Sequence, residues 1–323
     1  MALTAGAARS HIEHWTGALG NSRGRASWPA YLFHAAHVTT AVKILQSGRL
    51  SCRGRLDVID HDVANQGALH HNLRAHDFAR LYFRPRNAFH LKTEGIKCIG
   101  DPYRDRNHMS IPILFAFDAM EVLTRDGTAF SQGKLSRIRE IGNDDAFFAT
   151  IPFDDVYHDG PCRSDEGPRI LDARMAEVVV PDRLPLAPYL RRIFCRTGLE
   201  RRTLLHLLGA DARRFRSLLA SEPEYCSLFH RDGLYLKHAE FREGALELDF
   251  HHPRRDPGRD HYELKLMNRA AGQDPDIYSL KVPRSRVRVT TIRPSPDNCW
   301  EIHIEDVLAF HAPIPGETSV LLG

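Results

Sequence analysis

The stretch Ala173-Arg174-Met175-Ala176-Glu177-Val178-Val179-Val180-Pro181 places one carboxylate at the head of three consecutive valines. β-Branched side chains suit a pleated strand and proline ends its hydrogen-bond ladder, so the run predicts a buried strand. A carboxylate at the entrance of such a strand is costly to bury. Glu177 is therefore either a polar residue at a strand edge or a catalytic group, and the local pattern alone favours the first interpretation.

Length and composition limit the class of protein. The 323 residues allow one large or two ordinary domains, and a net charge of +3 is ordinary for a globular chain. No run of 18 apolar residues is present, which predicts no transmembrane helix and no membrane partner. The first residues lack the basic and apolar regions of a secretory signal. These features together predict a cytoplasmic protein.

Cysteine and histidine spacing gives no sign of a metal site. The six cysteines are widely scattered without a CxxC pair, which predicts reduced thiols rather than a disulfide framework. The 19 histidines show no HExxH or similar ligand spacing. We therefore predict that no metal is bound.

The first 188 residues alternate between short apolar runs and polar loops. Residues 1–27 predict a loosely held arm or a short helix. Strands are predicted at 31–34, 78–83, 111–117 and 128–133, with a helix after the first of them. The polar segment 49–67 is too long for an idle connection, so we expect it to be a functional loop.

After Pro188 the pattern becomes helical. Segments 189–196, 200–208 and 211–220 carry apolar residues at helical spacing. Residues 191–216 hold eight arginines against two acids. Such a stripe is either a solvated helical face with side chains lying over the core, or a phosphate-facing surface.

The last hundred residues change character again. Segments 246–250, 262–266, 286–292 and 300–304 alternate with period two, which is typical of an antiparallel sheet with one wet face. Residues 226–323 are therefore predicted to form a separate small all-β domain. No feature of these strands specifies a ligand, so the role of this domain is left open.

Three spaced segments together resemble one known family. They are Leu32-Phe33-His34-Ala35-Ala36-His37 with Ile44-Leu45 and Gly48 to Ser51, then Arg80 to Asn87, and finally Ala176 to Pro181. In order and spacing they are similar to the DarT family of DNA ADP-ribosyltransferases, in which the last segment bears the catalytic glutamate. The resemblance covers about residues 28–210.

The resemblance implies a fold and a function. The expected fold is α+β, with an ADP-ribosyltransferase-like split central β-sheet and flanking helices over 28–225, plus the C-terminal all-β domain. The expected activity is NAD-dependent transfer of ADP-ribose to a base in single-stranded DNA. Such enzymes serve as toxins or antiphage effectors, and the resemblance implies an antitoxin partner that removes the mark.

The resemblance assigns the catalytic roles to Glu177 and His34. A carboxylate near the ribose stabilises an oxocarbenium-like transition state and takes a proton from the acceptor. His34 can hydrogen-bond a ribose hydroxyl, although a half-buried structural histidine is the alternative. The residues implied to contact NAD are His34, Ala35, Ala36, Leu50, Arg53, Asn65, Tyr82, Phe83 and Arg86.

Several of these assignments have structural alternatives. Tyr82 and Phe83 can sandwich the nicotinamide ring, but adjacent strand residues point to opposite faces, so one of the two is expected in the core. Arg86 can pair with a diphosphate oxygen or can fix the turn after Pro85.

The sequence also departs from the family at two points. The arginine that the family uses in catalysis has no clear counterpart, and the candidates are Arg53, Arg55 and Asn65. The family's glutamine two residues before the glutamate is Met175 here, and a changed acceptor base is the simplest consequence.

The loop 156–174 is predicted to contact the acceptor. Tyr157 and His158 can stack on an unpaired base, and three arginines can hold backbone phosphates, namely Arg163, Arg169 and Arg174. An enzyme that modifies a base needs that base unpaired, which favours single-stranded nucleic acid. An ordinary basic surface loop is the alternative. RNA or protein acceptors, or a non-catalytic nucleic-acid-binding or phage-sensing module, are the alternative functions, and the oligomeric state is left open.

Overall fold

A computed structural model describes most of the chain. The described residues are 2–20, 24–55, 76–104, 108–135, 140–221, 225–252, 260–270, 273–283, 286–290, 292 and 298–314. The predicted NAD contact Asn65 and most of the predicted loop 49–67 lie outside these residues.

The helices of the described residues are short apart from three. They are α1 Ala5–Leu19, α2 Val38–Ser47, α3 His90–Thr93, α4 Ala119–Leu123, α5 Asp145–Ala149, α6 Phe153–Val156, α7 Gly167–Ala173, α8 Gly198–Leu208 and α9 Ala212–Phe215. No helix in the described part of the chain is long and apolar enough to span a membrane.

The strands fall into an N-terminal and a C-terminal group. The first group is β1 Tyr31–His37, β2 Arg49–Ser51, β3 Phe78–Tyr82, β4 Pro112–Asp118, β5 Ala129–Phe130, β6 Glu177–Pro181, β7 Arg183–Pro185, β8 Leu190–Cys195 and β9 Leu219–Ala220. The second group is β10 Tyr235–Arg242, β11 Ala245–His251, β12 His261–Arg269, β13 Asp276–Pro283, β14 Val287–Val289, β15 Cys299–Ile304 and β16 Val307–Pro313.

Seven strands of the first group build the central sheet, which in the described residues has the strand order β5-β6-β3-β1-β4-β8-β9, and β2 pairs with β7 in a separate two-stranded sheet. Strand β4 is buried along nearly its whole length and pairs with β1 over seven positions. Strand β6 begins at Glu177 and pairs antiparallel with β3. This order makes β3 the neighbour of both β1 and β6, and so brings the predicted segments around His34, Tyr82 and Glu177 together. The mixed α/β fold with a central sheet and flanking helices confirms the predicted fold class.

Residues 1–27 contain a well-packed helix rather than a loose arm. Leu3, Ala8 and Leu19 belong to the main hydrophobic core. On the same helix, His11 is buried and its Nε2 lies 3.1 Å from the hydroxyl oxygen of Tyr157. Of the two predicted forms, the short helix is therefore the correct one.

The predicted helix at 189–196 is wrong, because residues 190–195 form strand β8. Its apolar residues fit either period over so short a run. The choice is decided by β4, which offers an unpaired edge and pairs with β8 from Ile113 with Cys195 to Phe117 with Leu190.

The C-terminal strands form two separate antiparallel sheets in the described residues, β10-β11-β14 and β13-β12-β15-β16. Trp300, Ile302 and Ile304 of β15 are fully buried and alternate with more exposed residues, as the period-two pattern predicted. The predicted all-β character of this region is confirmed.

The first of these sheets meets the central part of the chain at a buried cluster of ions. Arg196 is 0% exposed, so it does not belong to the solvated stripe predicted for 191–216. Its guanidinium donates to Glu94 Oε1 at 3.3 Å and to Glu200 Oε1 at 2.5 Å, and it lies 3.8 Å from the ring centroid of Tyr235. A backbone crossing lies beside this cluster, where Gly95 adopts a φ of +86° and a Cβ added to it would meet Gly233 Cα at 2.7 Å.

Candidate active site

Glu177 lies at the entrance of β6 and is fully buried. Its backbone is held on both sides by Ser131, whose N–H donates to the Glu177 carbonyl at 2.9 Å and whose Oγ accepts from the Glu177 N–H at 3.2 Å. In the register of β3 and β6 it stands opposite Tyr82. The carboxylate is therefore fixed at one end of a rigid pair of strands.

Arg80 of β3 holds the carboxylate of Glu177 by two parallel hydrogen bonds. Its Nη2 donates to Oε1 at 2.6 Å and its Nε donates to Oε2, while the Leu135 N–H adds a bond of 3.2 Å to Oε1. Burial by itself lowers the pKa of Arg80, but the adjacent carboxylate outweighs it, so the net pKa lies above the usual arginine range. The pair is a bidentate, charge-assisted one, the geometry that holds a carboxylate most rigidly.

The sequence reasoning missed Arg80, although a signal was present. In Phe78-Ala79-Arg80-Leu81-Tyr82 the residues Ala79 and Leu81 are buried and alternate with Arg80 and Tyr82. A charged side chain in the middle of a buried strand needs a partner, and a carboxylate predicted in another buried strand was the obvious one. Neither Arg53 nor Arg55 takes this place.

Tyr82 lies next to this ion pair. Burial, followed by the negative charge of Glu177, raises the pKa of the Tyr82 hydroxyl above its usual range, and the hydroxyl hydrogen-bonds with Arg80. Its ring contacts His90 edge-on at a centroid distance of 6.0 Å.

Phe83 points elsewhere. It is 1% exposed and packs edge-on against Phe148 and Phe153 in the core. Phe83 is therefore the core member of the Tyr82–Phe83 pair, and its predicted contact with the nicotinamide ring is wrong, because the ring is enclosed by other aromatic side chains.

His34 is joined to the same strand. Its Nδ1 lies 3.0 Å from the Arg80 carbonyl oxygen, and since a carbonyl only accepts, Nδ1 carries the hydrogen and donates it. Burial lowers the pKa of His34 to about 4, so the ring is neutral at pH 7. The Nε2 atom consequently offers a lone pair, which can accept a hydrogen bond from a hydroxyl group.

The other predicted NAD contacts lie at several depths. Ala36 and Leu50 are buried at 1% and 4% exposure, so their side chains fill the core instead of facing a ligand. Ala35 is half-buried beside His34, and Arg53 is half-buried in a short 3-10 turn. Arg55 is exposed and pairs with Asp182 at 2.7 Å.

Four arginines surround one carboxylate directly after β3. We call this group the arginine cluster, and its members are Arg25, Arg84, Arg86 and Arg174 around Asp159. Arg84 donates to Asp159 at 3.0 Å, and Arg86 also pairs with Asp159. Arg174 donates to His158 Nδ1 at 2.6 Å and to the Gly160 carbonyl at 3.0 Å.

The four guanidinium groups of the arginine cluster carry more positive charge than the single carboxylate of Asp159 neutralises. Burial, followed by the neighbouring Arg174, lowers the pKa of Arg84 to about 9, even though Asp159 acts in the opposite direction. The buried Nε–H groups of Arg84, Arg86 and Arg174 find no acceptor among the described residues. Trp28 is fully buried under the cluster, with the guanidinium carbons of Arg84 and Arg86 at 5.3 and 5.4 Å from its ring centroid. Arg86 thus belongs to this cluster and fixes the segment after Pro85.

The predicted nucleic-acid contacts separate into three groups by their burial. Tyr157 is 2% exposed and packs parallel to Phe153, so the prediction that it stacks on a base is wrong, because its ring belongs to the core. His158 and Arg174 are half-buried within the arginine cluster. Arg163, before helix α7, and Arg169, within that helix, are exposed, and Arg169 pairs with Asp155.

Comparisons with known proteins identify the family of this chain. The family described as ssDNA thymidine ADP-ribosyltransferase, DarT, matches residues 33–225, more than half of the chain. A structure of Thermus sp. 2.9 DarT in complex with ADP-ribosylated ssDNA is 14% identical, with a TM-score of 0.50 over 62% of this chain and 97% of that chain.

The same Thermus protein in complex with NAD+ is also 14% identical, with a TM-score of 0.48 over 62% of this chain and 98% of that chain. No curated protein matches significantly. The family match spans β1, β3 and β6 together with the Arg80–Glu177 pair that they carry. The chain therefore belongs to the DarT family and is an ADP-ribosyltransferase.

Proposed function

We propose that this protein transfers ADP-ribose from NAD to a base of single-stranded DNA. The observation that carries the proposal is the buried, bidentate Arg80–Glu177 pair, with the lone pair of a neutral His34 on the adjoining strand. The family description names thymidine, and thymine is the first acceptor to test here.

In the proposed reaction a carboxylate has two roles, which are to stabilise positive charge on the ribose and to accept a proton from the base. The bond between nicotinamide and ribose C1′ breaks with its electrons passing to nicotinamide, and positive charge develops on the ribose. Glu177 stabilises that charge and then accepts the proton that a ring N–H of the base loses as the new bond to C1′ forms. The acceptor proton ends on Glu177, and nicotinamide is the leaving group.

Arg80 sets the condition under which Glu177 acts. Glu177 is 0% exposed, whereas the side chain of Arg80 is 23% exposed, so Arg80 is the member of the pair that contacts solvent. When the positively charged nicotinamide ring binds beside the pair, it repels the guanidinium group of Arg80. That repulsion weakens the ion pair and releases one carboxylate oxygen of Glu177. We therefore assign Arg80 as a positioning residue that holds the carboxylate of Glu177 in place before the donor binds.

His34 and Tyr82 supply the donor contacts. The Nε2 lone pair of His34 accepts a hydrogen bond from a ribose hydroxyl, and its low pKa keeps that lone pair available throughout the neutral range. Tyr82 offers an aromatic face next to the ion pair for the nicotinamide ring.

The arginine cluster supplies the DNA contacts. Phosphate oxygens are the acceptors that its excess positive charge attracts, and such contacts fix the strand without selecting its sequence. The exposed Arg163 and Arg169 extend this surface along the segment that contains helix α7 and leads to β6. The acceptor base is then presented at Glu177 while the backbone is held on the arginine side chains.

The decisive experiment offers labelled NAD to single-stranded oligonucleotides that each contain one type of base, with an RNA set in parallel. Retention of label on the thymine oligonucleotide supports the proposal, and retention on another DNA base would follow from the Met175 departure. Label on RNA or protein alone, or label released only as free ADP-ribose, would contradict a DNA acceptor.

The DNA surface is tested separately by binding at several salt concentrations. Arg174→Ala should weaken binding to all single-stranded sequences alike and reduce the salt slope by about one phosphate contact. Arg288→Ala is the control for the loss of one positive charge, because Arg288 is exposed and pairs with Glu243 in a C-terminal sheet. Equal effects of the two changes would contradict the proposed surface.

We further propose that the enzyme acts in the cytoplasm as a toxin or antiphage effector, paired with an antitoxin that removes ADP-ribose from DNA. Modified template bases block replication, so expression of the intact protein should arrest growth while Glu177→Gln should not. Arrest by both forms would contradict this role.

A further inference from the structure

Three metal-ligating side chains meet at the junction between helix α8 and the C-terminal sheet. They are His206 near the end of α8, Cys299 at the start of β15 and His311 in β16. Their ligand atoms all lie within 4.8 Å of one another. His206 is exposed and the other two are half-buried, so an ion can enter from solvent.

The arrangement follows from the register of the sheet. Cys299 and Glu301 lie two residues apart on β15 and therefore on the same face, and His311 stands directly across from Glu301. The intervening Trp300 faces the opposite side and is fully buried. Thus one face of this strand pair builds the core while the other presents a thiol, an imidazole and a carboxylate.

Helix α8 packs against that polar face. The backbone N–H of His311 donates to Thr203 Oγ1 at 3.1 Å. One helical turn beyond Thr203 on the same side of the helix comes His206. Its Nε2 lies 3.1 Å from Cys299 Sγ, and its ring centroid lies 4.9 Å from that of His311.

These separations are close to those of a tetrahedral zinc site. With Zn–S near 2.3 Å and Zn–N near 2.0 Å, ligand atoms in such a site lie roughly 3.5 Å apart. The Sγ–Nε2 distance of 3.1 Å lies near that value. The widest separation within the group needs a shift of about 1 Å, which rotation of an exposed imidazole such as His206 can supply.

Glu301 is placed to complete the site. Its Oε1 lies 3.6 Å from His311 Nε2, and its Oε2 lies 3.3 Å from His303 Nε2. A carboxylate in this position can accept the hydrogen bond that orients a metal-bound imidazole, or can become the fourth ligand itself. With the thiolate it would also neutralise both charges of a divalent ion.

We propose that Cys299, His206 and His311 bind a structural zinc ion, with Glu301 as the supporting carboxylate. A thiolate with two imidazoles favours zinc over magnesium or calcium, which prefer oxygen ligands. On binding, Cys299 releases its proton and Zn–S and Zn–N bonds form, with no change of oxidation state.

The proposed zinc site would join the part of the chain that matches the family to the C-terminal part that lies beyond the match. Helix α8 lies within the matched residues 33–225, and β15 and β16 lie beyond them. The zinc ion would hold the C-terminal sheet against the ADP-ribosyltransferase part, so its loss should destabilise the C-terminal region. The proposal does not depend on the proposed function, because the site shares no residue with the Arg80–Glu177 pair.

The test uses the full chain, made without a histidine tag. The protein is stripped with a chelator, refilled with zinc chloride alone, dialysed and analysed for metal content. We expect one zinc per chain, a higher Tm than that of the stripped protein, and a thiolate-to-cobalt absorption band after refilling with cobalt.

Three variants of the proposed site and one matched control test the assignment. Cys299→Ser and His206→Asn should lose stoichiometric zinc and the cobalt band, and His206 is exposed, so its variant should fold. Cys162→Ser, which changes another half-buried free thiol, should keep both. Glu301→Gln should lower zinc affinity about 10- to 100-fold. Absence of stoichiometric zinc in the refilled protein, or equal affinity in Cys299→Ser and Cys162→Ser, would overturn the proposal.

Discussion

Two arginine–glutamate groups among the described residues have buried carboxylates, look alike as ion pairs and differ in their surroundings. At the junction with the C-terminal sheet, Arg196 is 0% exposed and donates to Glu94, to Glu200 and to the Ser110 carbonyl. In the central sheet, Arg80 is 23% exposed and its partner Glu177 is fully buried.

Both carboxylates accept three hydrogen bonds, so the difference lies in the groups beside them and in the exposure of the arginine. Glu94 accepts hydrogen bonds from Arg196 and also from the backbone N–H groups of His230 and Arg231, at 2.8 and 2.9 Å. Beside Glu177, His34 keeps a lone pair on Nε2, and Arg80 opens the group to solvent. A buried ion pair is therefore no sign of a catalytic site by itself, and unused hydrogen-bonding capacity next to solvent is what distinguishes one.

The largest expected effect is on ADP-ribose transfer, which should depend on Glu177 and not on Glu94. Glu177→Gln keeps the shape of the side chain but removes the proton acceptor, so ADP-ribose transfer should fall by about 10²- to 10⁴-fold. Glu94→Gln should leave transfer per folded molecule near that of the unchanged protein. The measurement is initial rate with labelled NAD, corrected for the folded fraction by circular dichroism.

A Glu177→Gln protein that retained its rate would remove Glu177 from the mechanism. A folded Glu94→Gln protein with an equal loss would show that the two groups act as one network, and the comparison would fail.

The second effect concerns stability, and here the group around Arg196 should be more sensitive to substitution than the Arg80–Glu177 pair. Arg196→Met leaves two carboxylates buried without a cation, so the free energy of unfolding should fall by about 3–5 kcal/mol. Arg80→Met should cost less, because the space left by its partly exposed side chain admits water to Glu177. Urea unfolding of both variants checks the order, and a greater loss for Arg80→Met would contradict it.

The third effect is a dependence of stability on pH. Burial raises the pKa of Glu200 from 4.5 to about 7, because the charge of Arg196 offsets the burial only in part and the negative charge of Glu94 adds to the rise. The folded state therefore holds a proton that the unfolded state has released between these values. The contribution of Glu200 to stability should be complete below about pH 4.5 and should be lost as the pH rises towards 7.

Glu200→Gln is the control for this effect, because an amide does not titrate. The difference in unfolding free energy between the unchanged protein and Glu200→Gln should shrink as the pH rises through that window. Beside Glu177, the pKa of His34 is lowered to about 4, so His34 has the opposite effect on stability and favours the folded state more as the pH rises. A constant difference from pH 4.5 to 7 would show that Glu200 has an ordinary pKa.

The smallest effect concerns the hydroxyl group of Tyr82. Tyr82→Phe removes its hydrogen bond with Arg80 while keeping the aromatic face, and should cost about 0.5–1.5 kcal/mol, seen as at most a roughly tenfold lower rate. Tyr235→Phe is the matched change beside Arg196, and its effect should appear in stability alone. A lower rate in Tyr235→Phe would contradict the assignment of separate roles.

Several features of this protein follow from the sequence alone. Alternation and β-branched runs located β3, β4 and β6, and the family resemblance gave the fold class that the structure confirms. The period-two pattern after residue 226 gave the all-β character of the C-terminal region. These features are local, because a side chain's face on a strand depends on its parity along the chain.

Other features depend on strand pairing and on contacts between distant parts of the chain. Residues 190–195 become a strand because β4 has a free edge, and Arg80 meets Glu177 because β3 and β6 pair in one register. Arg196 is buried because a C-terminal sheet covers it. His206 and Cys299, 93 positions apart, adjoin because α8 packs on β16. Spacing along the sequence carries no record of such contacts, since their distances are set by how strands pair and how layers pack, so the tertiary structure alone decided them.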